Sequence, residues 1–217
     1  MIFAIEGIDG AGKATASNLA AQMLGAQGVS VRQISFPQYG KTLASSLVQQ
    51  LLNSEQKAFS AYYYAVAFAL DRFESITALQ TSDVLICDRY VASNLAFQLA
   101  RLPAAEWDKF ADWLEDFEFG RLGLPRPRLN LYLDIGLEAA EDLIKSKAGR
   151  SYTTDQFDQF ERDRGYQNAA LQAYAGLIEQ KRCGDWRKIS MLESGTLRTP
   201  EAVARDVADA ILKSLAS

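Results

Sequence analysis

Residues 7 to 15 read Gly7-Ile8-Asp9-Gly10-Ala11-Gly12-Lys13-Ala14-Thr15, and the chemistry this pattern can do is to hold phosphate. Gly7 and Gly12 permit the backbone angles that turn successive N–H groups inward as a nest for anionic oxygens. A helix opening at Ala14 aims the positive end of its dipole at the same point. Lys13 then reaches the terminal phosphates. The run fits GxxxxGK[ST] except in its last letter, where Ala14 stands in place of the hydroxyl that would ligate Mg²⁺ and Thr15 follows one place later. Asp9 is placed to hold Mg²⁺ directly or through water, and Thr15 to help if the helix start is rotated.

A second constellation is Asp88-Arg89-Tyr90. Asp88 suits a Mg²⁺ shell or the water around it, Arg89 offers a planar fork for a phosphate, and the alternative is an Asp-Arg pair capping a strand end. Beyond it, Asn94, Phe97 and Gln98 share one side of a helix by their spacing, an amide beside an aromatic. Phe36, Pro37 and Tyr39 can wall a flat ligand, and Phe68 and Arg72, four apart, can complete a pocket by stacking and hydrogen bonding. Finally, residues 145–164 (KSKAGRSYTTDQFDQFERDR) read as a charged flap able to bring Lys147, Arg150, Arg162 or Arg164 to a transferred phosphoryl group. The same residues also read as a solvated loop paired within itself.

Elements of alternating type must position these residues. Short apolar runs at 2–6, 29–36, 84–88, 129–135 and 187–191 predict five strands. Helical patterns cover 14–27, 43–52, 59–80, 93–101, 105–118, 137–146, 158–180 and 200–215. That alternation predicts an α/β domain with one parallel five-stranded sheet and helices on both faces. In such a sheet ligands collect beyond the carboxyl ends of the strands, which brings the glycine loop and Asp88-Arg89 to one crevice. In the helix from Phe59, the residues Phe59, Tyr62, Tyr63, Val66, Leu70 and Phe73 form one apolar face, with Phe68 and Arg72 on the other. Thr199, Pro200 and Glu201 mark the start of the last helix by hydroxyl cap, proline and first-turn acid.

The opening Glu6 to Lys13, the Phe36-Pro37 loop, the Phe68-Ala69-Leu70-Asp71-Arg72 helix signature and the run Asp88 to Ala96 occur in the order found in the thymidylate kinases. The chain resembles this family of P-loop nucleoside monophosphate kinases. The likeness spans residues 3 to about 98 and extends more weakly through Phe160-Glu161-Arg162-Asp163. It implies a three-layer P-loop kinase fold with a lid, transfer of the terminal phosphoryl of ATP to dTMP in dTTP synthesis, a requirement for Mg²⁺, and a homodimer. Carried over residue by residue, it implies that Gly7 to Thr15 hold ATP, with Lys13 on its phosphates, and that Asp9 and Glu161 serve Mg²⁺ or the acceptor phosphate. Phe36, Pro37, Tyr39 and Arg89 surround the dTMP phosphate and sugar. Phe68 stacks on thymine, Arg72 and Asn94 bond its edge, and Phe97 stands against the deoxyribose. No basic residue falls at positions 8, 9 or 11, so the additional arginine is expected from the lid, with Arg150 as its clearest candidate, although the family's run of lid arginines is thinned here.

Composition narrows the alternatives. The chain has 217 residues, which points to one domain. It contains no histidine, so His-based zinc sites, histidine triads and histidine general bases are excluded. An acceptor phosphate ionised at neutral pH needs no such base. A deoxynucleoside kinase would need a carboxylate base for its hydroxyl acceptor, and a nucleotide-binding switch would show no acceptor-dependent turnover. A net charge of −4 gives no basic field for nucleic acid. Cys87 and Cys183 form no metal or redox motif and are expected to be inert thiols. No apolar run spans a bilayer and no charged leader opens the chain, so the cytoplasm is the expected location.

Overall fold

The computed structural model describes residues 1–53, 59–80, 83–148 and 163–216, the side chains of 76 and 144–148 aside. Strands β1 (Ile2–Glu6), β2 (Val31–Ser35), β3 (Val84–Asp88), β4 (Leu129–Asp134) and β5 (Trp186–Ser190) form one sheet in the order β2-β3-β1-β4-β5. Every pairing is parallel. β1 is buried along its whole length, as a central strand covered on both faces must be, and its sequence IFAIE accordingly shows no polar alternation until Glu6. The chain leaves β1 toward β2 on one side and later returns to β4 on the other. The strand order therefore reverses beside β1, and a crevice opens beyond its carboxyl end.

Helices α1 (Lys13–Ala26) and α9 (Pro200–Leu215) pack together against one face of the sheet. In the other layer α5 (Val91–Leu99) packs on α3 (Ala61–Glu74), α6 (Trp107–Glu115) and α8 (Arg164–Glu179). Helix α2 (Leu43–Asn53) lies against α3 and buries Val48 and Leu51 on Tyr64 and Ala67, a satellite cluster that Phe68 and Tyr166 border. The remaining elements include a short α4 (Ile76–Leu79), helix α7 (Leu137–Ala148) and a small hairpin, β6 (Leu192–Glu193) with β7 (Thr196–Leu197). Among the described residues no helix is long and apolar enough to cross a membrane.

Several boundaries differ from the sequence pattern for local reasons. The long helix expected over 59–80 is two helices, because Ser75 caps α3 and turns the chain into α4. Its faces are also exchanged. Ala61, Tyr64, Ala65, Asp71 and Arg72 are buried, whereas Tyr63, Leu70 and Phe73 are exposed and Tyr62 packs edge-on against Phe110 and Trp113. The apolar count misjudged this helix because small alanines and one buried ion pair line its inner side. The helix expected over 105–118 ends at Glu115 and continues as a wider-turned π-helix, Asp116–Arg121. Helix α5 begins two residues before the expected Ser93, directly behind Tyr90. Both cysteines are free and buried, and burial raises their pKa values, which keeps them protonated and unreactive.

Candidate active site

The glycine loop leaves β1 and enters α1 at Lys13, as the required strand, loop and helix order demands. Gly7 has φ 148° and Gly12 φ 77°. A Cβ at Gly7 would lie 3.2 Å from the Leu133 carbonyl oxygen, a tight contact that adds to the backbone angle in favouring glycine there. Lys13 is buried and its Nζ donates to the Ile8 carbonyl at 2.6 Å, which curls the ammonium back over the loop. Burial, and next the charge of Arg89, lower its pKa to about 8. Ala14 is exposed and Thr15 half-buried at the start of α1.

Because Ile5 pairs with Asp88 across β1 and β3, the residue after β3 stands beside the loop after β1. That residue is Arg89, whose φ of 68° puts a non-glycine residue in the left-handed region at the strand-to-helix turn. Its Nη1 donates to the Gly7 carbonyl and to Ser93 Oγ, each at 3.2 Å, and its Nη2 forms an ion pair with Asp9 Oδ1. Its guanidinium lies 5.0 Å from the centre of the Phe97 ring. Burial opposes its charge, but the Asp9 carboxylate outweighs that effect and raises its pKa further. Burial acts to raise the Asp9 carboxyl as well. Arg89, Lys13 and the hydrogen bond from Gln167 Nε2 at 2.8 Å overcome it, so Asp9 is held ionised below the usual carboxylate range.

Behind this pair lies a buried support. Glu6, the last residue of β1, accepts from the Tyr90 amide at 2.9 Å, from Tyr174 Oη at 3.0 Å and from Ser93 Oγ. Burial raises its pKa despite these donors. The network ties β1, α5 and α8 together and fixes the hydroxyl that receives Arg89.

Next to the glycine loop is a cavity of about 270 Å³ lined by Asp9, Phe36, Pro37, Tyr39, Phe68, Arg72, Arg89, Asn94 and Phe97, all of them anticipated from the sequence. Phe36-Pro37 is a cis peptide, and the loop after it is held by Asp71, whose carboxylate accepts from the Gln38 amide at 2.9 Å and from Thr42 Oγ1. Arg72 is 2% exposed and is gripped by Glu118, which accepts from Nε at 2.7 Å and from Nη2 at 2.6 Å. Asn94 Nδ2 donates to the same carboxylate at 2.8 Å and to the Ala65 carbonyl at 3.0 Å.

A family model described as thymidylate kinase matches residues 5–180. The chain belongs to the thymidylate kinase family. The thymidylate kinase of Mycobacterium tuberculosis (strain H37Rv) is 38% identical over 192 residues, covering 86% of this chain and 89% of that protein. The thymidylate kinase of Symbiobacterium thermophilum is 27% identical over 215 residues, covering 95% and 90%. The solved structure of the thymidylate kinase from Candida albicans superposes with a TM-score of 0.73 at 20% identity, covering 98% of this chain and 91% of that one, a likeness of fold.

Several lining residues of this thymidylate kinase family member were not anticipated. Tyr166 of α8 lines the cavity, bonds the Phe97 carbonyl through its hydroxyl at 2.7 Å and lies beside the Phe97 ring, with centroids 5.9 Å apart. Gln167 bonds Asp9, and Arg101, Ser93 and Leu52 line the cavity wall. Only the weak FERD likeness hinted that α8 takes part, and an isolated tyrosine or glutamine carries no motif. Arg150 and Glu161, with Arg162, lie outside the described residues. Of the other cations in the expected lid, Lys147 falls in α7 and Arg164 opens α8. Arg164 is exposed and pairs with Glu141 at 3.1 Å.

Proposed function

We propose that the loop from Gly7 to Thr15 holds ATP and that the adjoining cavity holds dTMP, with the Arg89–Asp9 pair at the junction where the phosphoryl group passes. Membership of the family makes the activity that of an ATP-dependent dTMP kinase, a phosphotransferase giving dTDP and ADP. The observation that carries the assignment of sites is the convergence on one cavity of nine residues drawn from the loops after β1, β2 and β3 and from α3 and α5, directly beside the phosphate loop.

The residues suit a reaction that needs alignment and charge more than proton transfer. Lys13 neutralises the donor phosphates, and Arg89, freed from Asp9 as the acceptor phosphate arrives, forks onto it; both lower the repulsion between two anions brought together. Phe68 stacks on the base while Arg72 and Asn94 read its edge. Phe97, packed by Tyr166, is proposed to stand against the deoxyribose and disfavour a 2′-hydroxyl.

Mg²⁺ suits this site as an ion held chiefly by substrate phosphates. Among the described residues no group of three or more His, Cys, Asp or Glu side chains could hold a metal, and Asp9, ionised beside the loop, is a protein carboxylate available to it directly or through water, with Asp88 at the end of β3 as another. Glu161 is proposed as a further such group. When bound, the ion would neutralise charge on the transferred phosphoryl. The lid, with Arg150, is proposed to add the further cation. We also propose a homodimer, supported by the exposed Tyr63, Leu70 and Phe73 on the outer face of α3, and a single domain in the cytoplasm. No nucleic-acid partner is proposed for a chain of net charge −4.

Phe68→Ala and Asn94→Ala test the acceptor site. Each is expected to raise the KM for dTMP by about tenfold or more while leaving the KM for ATP nearly unchanged. A rise confined to ATP would contradict the assignment of the cavity.

A further inference from the structure

Glu118 has no access to solvent, sits on the π-helical segment Asp116–Arg121, and has no role in the phosphoryl transfer proposed above. Its two oxygens take the Nε and Nη2 edge of Arg72, and Oε1 also takes Asn94 Nδ2. The other bond from that amide nitrogen goes to the Ala65 carbonyl. Both hydrogens of Nδ2 are thereby given to groups that can only accept. Turning the Asn94 amide over would set its oxygen against two others, so its orientation is fixed by chemistry rather than by packing. Among the described residues Asn94 Oδ1 remains as an acceptor with only a long 3.5 Å bond from Gln98 Nε2, and Gln98 Oε1 is buried with no partner there. Arg72 Nη1 takes no part in the Glu118 pair and remains as a donor on a residue that lines the cavity.

We infer that Glu118 is the positioning residue that sets which pyrimidine this pocket accepts, by holding Asn94 as an acceptor and Arg72 as a donor. A base with a ring N–H beside a carbonyl, the edge shared by thymine and uracil, meets that pair in the right sense. Cytosine presents an unprotonated ring nitrogen beside an amino group and meets it reversed on both counts. The inference rests on the cavity being the dTMP site. Glu118→Gln replaces one of the two acceptors that hold the Asn94 amide with a group that can also donate, the Ala65 carbonyl remaining, which weakens the hold on the amide's orientation and relaxes the discrimination. Glu118→Asp keeps an acceptor-only group but draws it back by one methylene.

Steady-state kinetics with dTMP and with dCMP, each at saturating ATP, compare the wild type, E118Q and E118D. In E118Q the ratio of kcat/KM for dTMP over dCMP is expected to fall by about tenfold or more, through KM, with the KM for ATP nearly unchanged. In E118D the KM for dTMP is expected to rise about threefold or more with the preference over dCMP kept. An unchanged ratio in E118Q, or an E118D that discriminates as poorly as E118Q, would overturn the inference. Removing the negative partner of a buried guanidinium can prevent folding, and if E118Q does not fold, E118D decides. A wild-type KM for dTMP in that variant overturns the inference, and a raised KM with preference kept supports it. A wild type that turns over dTMP no better than dCMP would overturn the acceptor-site reading itself, a result distinct from the others.

Discussion

Lys13 keeps its ammonium almost out of water, and burial followed by the charge of Arg89 brings its pKa down from 10.5 to about 8. Between those values the unfolded chain carries a proton on this lysine that the folded chain lacks, so Lys13 makes stability rise with pH across that window. Its cost is fully present below pH 8 and is relieved toward pH 10.5; it amounts to roughly 3 kcal/mol. Lys13→Met removes the charge, and the variant should be inactive yet more stable than the wild type at pH 7. Urea titrations at several pH values are expected to show that advantage shrinking from pH 8 to 10, whereas a constant difference would mean that Lys13 is not held at a lowered pKa. Arg89 bonds three groups through two nitrogens set apart in a planar fork, a span that the single nitrogen of a lysine does not cover. Arg89→Lys is therefore expected to lower kcat/KM by about a hundredfold or more, measured by ADP release.

At the scale of elements, the site depends on which face each helix turns inward, and here legibility was uneven. The glycine loop, the Phe36-Pro37 turn and the Asp88-Arg89 strand end were readable because each couples a residue pattern to a strand terminus. Helix α3 was misread in its faces, since alanines and the buried Arg72 line its inner side while Tyr63, Leu70 and Phe73 face outward. Glu118 was illegible because its partners lie 24 and 46 residues away and the π-helical turn that delivers it has no sequence signature. Tyr166 and Gln167 escaped for a like reason, being brought to the site by the packing of α8 on α5. Caps were legible in chemical detail, as Thr199 Oγ1 accepts from the Ala202 amide at 3.3 Å. Thr199→Ala should cost about 1 kcal/mol of stability with no change in KM for either substrate. Thermal melts beside kinetics check this, and a kinetic effect would tie α9 to the site unexpectedly.

For the whole molecule, the strand order places the glycine loop at the point where the sheet's connections diverge, and α2, α3, α5 and α8 wall the proposed acceptor cavity beside it. The outer face of α3 leaves Tyr63 42%, Leu70 36% and Phe73 41% exposed, a stripe whose reverse side carries Phe68 and Arg72. A second copy covering it would brace the base pocket from behind. Sedimentation is expected to give twice the 24.0 kDa chain mass, and Leu70→Glu should shift the protein to the monomer. A wild type that sediments as a monomer at micromolar concentration would remove the dimer. The division of the crevice into a donor loop and a thymidylate cavity is tested most directly by ADP release from Mg²⁺ and ATP with dTMP, dUMP, dCMP, AMP, GMP or thymidine, each alone, with Lys13→Ala as the blank. Release should be fastest with dTMP and absent in the blank. Equal release with every acceptor, or none from a folded protein that still binds ATP, would contradict it.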